Sequence, residues 1–232
     1  KRADKRYIDL AVAYGLRARV NLTMENWSAA AADAQAAINA SDATPYTIAQ
    51  VSKPAFMDSK DNAWMWGIVI AETDRVVTSG IVNWPSHMGS LSYGYANFSG
   101  GHQINKALFN SIPATDVRKG WWIDENCYSP NLNEEQADFV NNYCGYAPYT
   151  HVKFAPYANE VYTSTNANDI PLMRIEEMYL IKAEAEAMAG NAAAGKATLE
   201  TFVQTYRNPE YTCAAASAQE IQDEVWHQRR IE

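Results

Sequence analysis

Apolar residues recur at helical spacing over residues 4–24, where Tyr7, Leu10, Ala11, Tyr14, Ala18 and Leu22 fall mostly three or four positions apart. The break "MEN" separates them from Trp27 and "SAAAADAQAAINA", a second helix dominated by alanine. Alanine is the best helix former and lets two helix axes approach closely. Trp27, Ala30, Ala34, Ala37 and Ile38 step by threes and fours after a tight turn, as in a tetratricopeptide helix–turn–helix. An alanine-rich hairpin is also common in ordinary bundles. The helical period returns in "IPLMRIEEMYLIKAEAEAMAG", with Pro171 suited to its start and Gly190 to its stop. It continues through "NAAAGKATLETFVQTYRN" as a second hairpin and closes with "SAQEIQDEVWHQRRIE".

Between these helical ends the period is lost. Residues 65–71 form a short apolar run rich in Trp and β-branched side chains, which predicts a buried strand or extended segment. In "TSGIVNWPSHMGSLSYGYANFSGG" (78–101), Gly, Ser, Asn and aromatics mix without helical spacing. That predicts a long structured loop, a kind of segment that often binds ligands. A short helix, "HQINKALFNSI", follows, and then more aromatic-rich irregular chain. The pattern predicts a mainly α protein, in one large domain or two small ones. A tetratricopeptide-like helix pair occupies 1–44, an irregular aromatic-rich segment with a short helix 45–168, and C-terminal helices 169–232.

Composition narrows the function. A chain of 232 residues with 47% hydrophobic content can bury a sizeable core. Its formal charge of −8 argues against nucleic acid and against an anionic membrane surface, both of which need basic patches. No apolar run approaches the roughly 18 residues of a membrane span. The three cysteines form no CxxC pair, so a zinc site of that type is not expected; Cys127 and Cys144 could bridge or remain free thiols. His87, His102 and His151 also lack metal-ligand spacing. The opening "KRADKRYIDL" has no signal-peptide core, and the closing helix has no stop signal, so both ends look cut.

Four glutamates (Glu176, Glu177, Glu184 and Glu186) interrupt a helix whose other residues are apolar nearly all round, a pattern that predicts burial. Glu177 and Glu184 share a face seven residues apart, about 10.5 Å along the axis. Catalytic carboxyl pairs of glycosidases stand about 5–5.5 Å apart when retaining and about 6.5–9.5 Å when inverting. Ile181 and Met188 fill the intervening face, and Arg174 precedes Glu177 at the i,i+3 spacing of an ion pair. Arg174, Glu177 and Glu184 are therefore expected to brace the structure, with no catalytic residue. A glycoside hydrolase using Glu177 and Glu184 is the alternative this leaves.

"DIPLMRIEEMYLIKAEAEAMAG" resembles the signature helix of the SusD/RagB proteins: Ile-Pro, Arg, two residues, Glu, three bulky apolar residues and Ala-Glu-Ala. Arg174, Glu177, Leu180, Ala183, Glu184 and Ala185 occupy that pattern. The opening hairpin, with Arg19 and Trp27, resembles the family's tetratricopeptide-like pair. "INKALFNSIPATDVRKGWW" resembles its short helix followed by Asp-x-Arg, here Asp116 and Arg118. The tail resembles the start of its C-terminal helix. Family members are considerably longer, with a lipobox cysteine and more helices before this point and a continuing C-terminal pattern.

The resemblance implies a SusD-like α-α superhelix and a non-catalytic glycan-binding lipoprotein for nutrient uptake. Such a protein sits on the outer surface of the outer membrane, lipid-anchored through a segment this chain lacks. It would pass oligosaccharides or polysaccharides to a SusC-like TonB-dependent transporter. No cofactor is implied; calcium occurs in some relatives, but no EF-hand-like loop calls for it here.

A pyranose ring has an apolar C–H face and a polar rim, so its site needs flat aromatics flanked by hydrogen-bonding groups. "NWPSHMGSLSYGYANF" gathers Asn83, Trp84, His87, Tyr93, Tyr95 and Asn97, and the family's ligand site lies partly in the corresponding region. These aromatics could instead pin the irregular segment to the helices. Of the adjacent pair Trp121 and Trp122, at most one could face a ligand from a strand. A tetratricopeptide-like adaptor gripping a protein segment is a further alternative, disfavoured by the aromatic loops.

Overall fold

A computed structural model describes residues 4–78, 84–98 and 100–232. Its first elements are α1 (Leu10–Thr23), α2 (Trp27–Ala40), α3 (Ile48–Val51), β1 (Trp64–Ile68) and α4 (Arg75–Thr78). The short helices α5 (Trp84–Met88), α6 (Tyr95–Phe98) and α7 (Lys106–Ser111) follow, then a 3-10 turn, Val117–Trp121. Helix α8 (Glu134–Asp138) runs directly into a π-helical turn, Phe139–Tyr143, and a second 3-10 turn spans Tyr157–Asn159. Strand β2 (Ile170–Arg174) and helices α9 (Ile175–Met188), α10 (Ala192–Tyr206) and α11 (Ala218–Ile231) complete the chain. Two compact units result. The helical unit comprises Lys1–Thr47, Asn62–Gly67 and Pro171–Glu232; the irregular unit comprises Ile48–Asp61 and Ile68–Ile170.

In the helical unit, Asp9 caps α1 by accepting a hydrogen bond from the Val12 N–H at 2.9 Å. Ala11, Val12 and Ala18 of α1 meet Ala30, Ala34 and Ala37 of α2, and Met178, Ile181 and Ala185 of α9. Small side chains bring these axes together. A Cβ on Gly15 would lie 2.6 Å from the Met173 sulfur, so the position admits no larger residue without a shift. Arg17 and Asn21 of α1 tie the pair further by donating to the buried Asp33 of α2, the arginine at 2.6 and 2.7 Å. The arginine bond holds the Asp33 carboxyl below its ordinary pKa.

Helix α9 has a second core on its other side. Leu180, Ala183 and Ala187 pack with Leu199, Phe202 and Val203 of α10 and with Ile221 and Val225 of α11. Burial on both sides is the physical reason that its sequence is apolar nearly all round. Ser217 and Glu220 form a capping box that starts α11, and Gly190, at φ +94°, follows α9.

Two expectations are corrected. Pro171 lies within β2, which pairs with β1, so α9 starts four residues after it. The apolar run 65–71 is strand only as far as Ile68. Beyond it the chain leaves the pairing, with Ile68 and Val69 exposed.

The irregular unit has a core of Leu91, Ile123, Phe139, Val140, Tyr146 and Val152 but, among the described residues, no regular sheet. Isolated bridges join Ala55 to Phe154, Gln103 to Thr150 and Trp122 to His151. Side chains satisfy many backbone groups that a ladder would otherwise serve. The Trp121 indole donates to the Val51 carbonyl at 2.8 Å, Ser129 Oγ to Gly120 at 2.6 Å and Ser90 Oγ to Phe154 at 2.7 Å. Asp169 accepts from the N–H groups of Ser59 and Ile70, both at 2.8 Å. Arg118, fully buried, pairs with Asp116 at 2.6 Å. Trp121 is buried and Trp122 half-buried. Cys127, Cys144 and Cys213 are free thiols.

Candidate functional site

The four glutamates are each held by a different part of the helical unit. Glu176, fully buried, accepts from the Tyr46 N–H at 3.0 Å and from Arg207 at 3.3 Å. Arg207 also donates to the Glu232 carboxylate twice at 2.8 Å and to the Tyr46 carbonyl at 3.0 Å. Burial disfavours the Arg207 charge, yet Glu232 and Glu176 more than offset it and raise the pKa above its ordinary value. Glu186 pairs with Lys182 at 2.7 Å and accepts from the Thr198 hydroxyl at 2.6 Å.

Glu177 and Glu184 follow the same rule. Glu177 accepts from Arg19 Nε at 2.7 Å and Nη2 at 2.5 Å, which ties α9 to α1. Its partner is therefore Arg19 and not Arg174. The i,i+3 rule holds only within a helix, and Arg174 is the last residue of β2. Arg174 reaches Glu232 at 3.2 Å and Glu176 at 3.8 Å. Glu184 is buried and accepts from three groups of α11: Gln222 Nε2 at 3.0 Å, Trp226 Nε1 at 2.9 Å and Arg229 Nη2 at 3.0 Å. Glu177 borders a cavity of about 300 Å³, together with Leu172, Leu180 and Arg229, but Glu184 is not one of its walls. The two carboxylates do not face one cleft, as a glycosidase pair must.

The described loop residues are dispersed by the fold. Asn83 lies outside the described residues. Trp84 opens α5 half-buried, edge-on to Phe154 with centroids 5.1 Å apart. His87, one turn on, is exposed and stands 5.0 Å from the ring of Tyr95, itself 50% exposed at the start of α6. Those two rings form the outward part of the loop. Tyr93 turns toward Phe139, Tyr143 and Tyr162, with centroids 5.4 to 6.4 Å away.

Asn97 is buried, which differs from its expected place at a sugar's edge. Its amide donates to the Ser92 carbonyl at 2.6 Å and its carbonyl accepts from the Tyr146 hydroxyl at 2.5 Å. Tyr146 in turn accepts from the Leu91 N–H at 3.0 Å. Asn97 thus supports the loop from beneath. Tyr143 and Tyr162 were not among the sequence candidates. The clue was the tyrosine density of "FVNNYCGY", about 50 residues away along the chain.

Among the described residues, no group of three or more His, Cys, Asp or Glu side chains could hold a metal ion. No described helix is long and apolar enough to cross a membrane.

These features define a helical-hairpin scaffold joined to an aromatic-rich irregular unit. The chain belongs to the SusD family, whose model matches residues 99–232. Its fold is similar to that of a SusD-like carbohydrate binding protein from Bacteroides vulgatus ATCC 8482, at 17% identity and TM-score 0.69, over 100% of this chain and 44% of that one. A SusD superfamily protein from Bacteroides thetaiotaomicron VPI-5482 is similar at 18% identity and TM-score 0.70, over 99% and 48% of the two chains. Another from Bacteroides vulgatus ATCC 8482 shows 17% identity and TM-score 0.70, over 100% and 48%. The chain spans about half the length of these solved relatives. No curated protein matches it.

Proposed function

We propose that this chain is part of a non-catalytic glycan-binding protein that delivers oligosaccharides to a SusC-like TonB-dependent transporter. The whole protein would act at the outer surface of the outer membrane, held by a lipid anchor. The observation that carries this reading is membership of the SusD family, one similar member of which is described as a carbohydrate binding protein. The helix pair 1–44, the irregular segment 45–168 and the helices 169–232 are read as one SusD-like domain. Trp84, His87, Tyr93 and Tyr95 are proposed to face the sugar, with Asn83 on the same loop and Asn97 as its support.

The chemistry of the two units supports this. In the helical unit the carboxylates that a hydrolase would need are bonded to neighbouring helices. In the irregular unit, His87 and Tyr95 present rings to solvent from short helices. Calorimetric titration with starch-, mucin- and plant-derived oligosaccharides, beside a reducing-end assay, tests the reading. Binding without cleavage is expected; released reducing ends overturn it. Trp84→Ala should weaken binding without unfolding the chain, and unchanged binding removes that residue from the site.

A further inference from the structure

We propose that Tyr93, Tyr143 and Tyr162, with Asp138 and Asn142 at their edge, form a further subsite that stacks on a ring of a neutral glycan. It rests on the glycan-binding reading and adds to it a place and a sugar class.

The patch begins with the π-helical turn Phe139–Tyr143, a local geometry often found at functional sites. The turn buries Phe139 completely and leaves Tyr143, its last residue, 52% exposed. Tyr143 stacks on Phe139 with centroids 5.6 Å apart and planes 21° apart. Tyr162 stands edge-on to Tyr143 at 5.1 Å and to Phe139 at 5.1 Å. Tyr93 leans against Tyr143 with ring centroids 5.4 Å apart. Three phenol rings therefore lie over one buried ring.

Hydrogen bonds hold the edge of the patch in place. The Tyr162 hydroxyl donates to Asp138 Oδ2 at 2.8 Å, and Asn142 Nδ2 donates to Asp138 Oδ1 at 2.8 Å. The Asn142 and Tyr162 bonds keep the Asp138 carboxyl below its usual range, and the Asp138 bond pushes the Tyr162 phenol up to about 12. The edge thus presents an ionised acceptor, a carboxamide and neutral phenols at ordinary pH. Tyr162 sits at φ +68°, a strained conformation for a bulky residue, and this turn directs its ring to the patch. The rings are ordered before any ligand arrives, which lowers the entropic cost of binding.

Aromatic faces with a hydrogen-bonding edge complement a pyranose, whose C–H face is apolar and whose rim carries hydroxyls. The charge at the edge selects among sugars. Asp138 ends α8, where Glu134 and Glu135 are also exposed, and among the described residues no cation pairs with this carboxylate. A uronic, sialic or sulfated sugar would meet like charge, whereas a neutral hydroxyl would meet an acceptor.

The test titrates neutral glucose-, galactose- and mannose-based oligosaccharides and a uronic-acid oligosaccharide into the parent protein and three variants. Tyr143→Ala should weaken binding of the preferred neutral sugar about tenfold at an unchanged melting temperature, while Tyr143→Phe stays within about twofold. Asp138→Asn should narrow the preference for neutral over acidic sugar. Full affinity in Tyr143→Ala, with loss in Trp84→Ala, overturns the subsite and leaves the glycan-binding reading intact. Equal affinity of the parent for the acidic sugar overturns the charge selection. Failure of every sugar to bind the parent overturns both readings.

Discussion

The helical and irregular units solve the same burial problem by opposite means. In the helical unit, hydrogen bonding within each helix serves the backbone, and side chains are free to form two apolar cores around α9. In the irregular unit, Trp121, Ser129, Ser90 and Asp169 spend side-chain polar groups on the main chain. Backbone strain divides the same way. Of the eight non-glycine residues at positive φ among the described residues, only Glu25 is in the helical unit. Phe56, Leu91, Cys127, Tyr149, Ala158, Asn159 and Tyr162 are in the irregular one. Each such residue costs on the order of 1–3 kcal/mol, which persists only where surrounding contacts over-determine it. A regular unit uses its carboxylates as braces; an irregular unit can aim rings outward.

The largest expected effect breaks the brace. Arg207→Met would leave the buried Glu176 and Glu232 with Arg174 alone to offset their charge, at a cost of up to about 3–5 kcal/mol in chemical denaturation. Hydrogen exchange should show the loss in α9, α10 and α11; an unaltered unfolding midpoint would mean the network contributes nothing. Glu184→Ala removes the acceptor of three α11 donors and should cost about 1–3 kcal/mol, lowering the melting temperature. A normal melt with lost function would point to a catalytic role instead.

A pH titration sharpens the contrast from the other side. His151 has its Nδ1 sealed from water, and burial, with the His102 and Lys153 charges, pushes its pKa down to about 3. The unfolded imidazole protonates near pH 6.5, so between these values the unfolded chain binds more protons and stability falls as pH falls. The irregular unit should lose about 1 kcal/mol for each pH unit below about 6.5. His151→Phe should flatten that slope. A slope of equal size in the variant assigns the titration to another group.

What could be read in advance follows from the same contrast. Residues 4–40 and 175–231 show their helices because burial against neighbours imposes a period on Ala11, Ala18, Met178 and Ile181. The spacing of the glutamates reads as structural, but the partners they meet in the fold are not local. Arg19 meets Glu177 across 158 residues, a contact no spacing rule encodes. Sequence neighbourhood grouped Trp84, His87, Tyr93, Tyr95 and Asn97 on one loop, yet the fold buries Asn97 and sends Tyr93 to Tyr143 and Tyr162. Bonds from side chains to backbone leave no repeat in the chain, so such placements emerge only in three dimensions.

The most direct test of the central claim is calorimetric titration of a neutral oligosaccharide into the parent protein and Glu177→Gln, with reducing ends measured in the same samples. Both proteins should bind the sugar with similar affinity and leave it uncut. Cleavage by the parent that disappears in Glu177→Gln would contradict the division of labour between bracing carboxylates and binding rings.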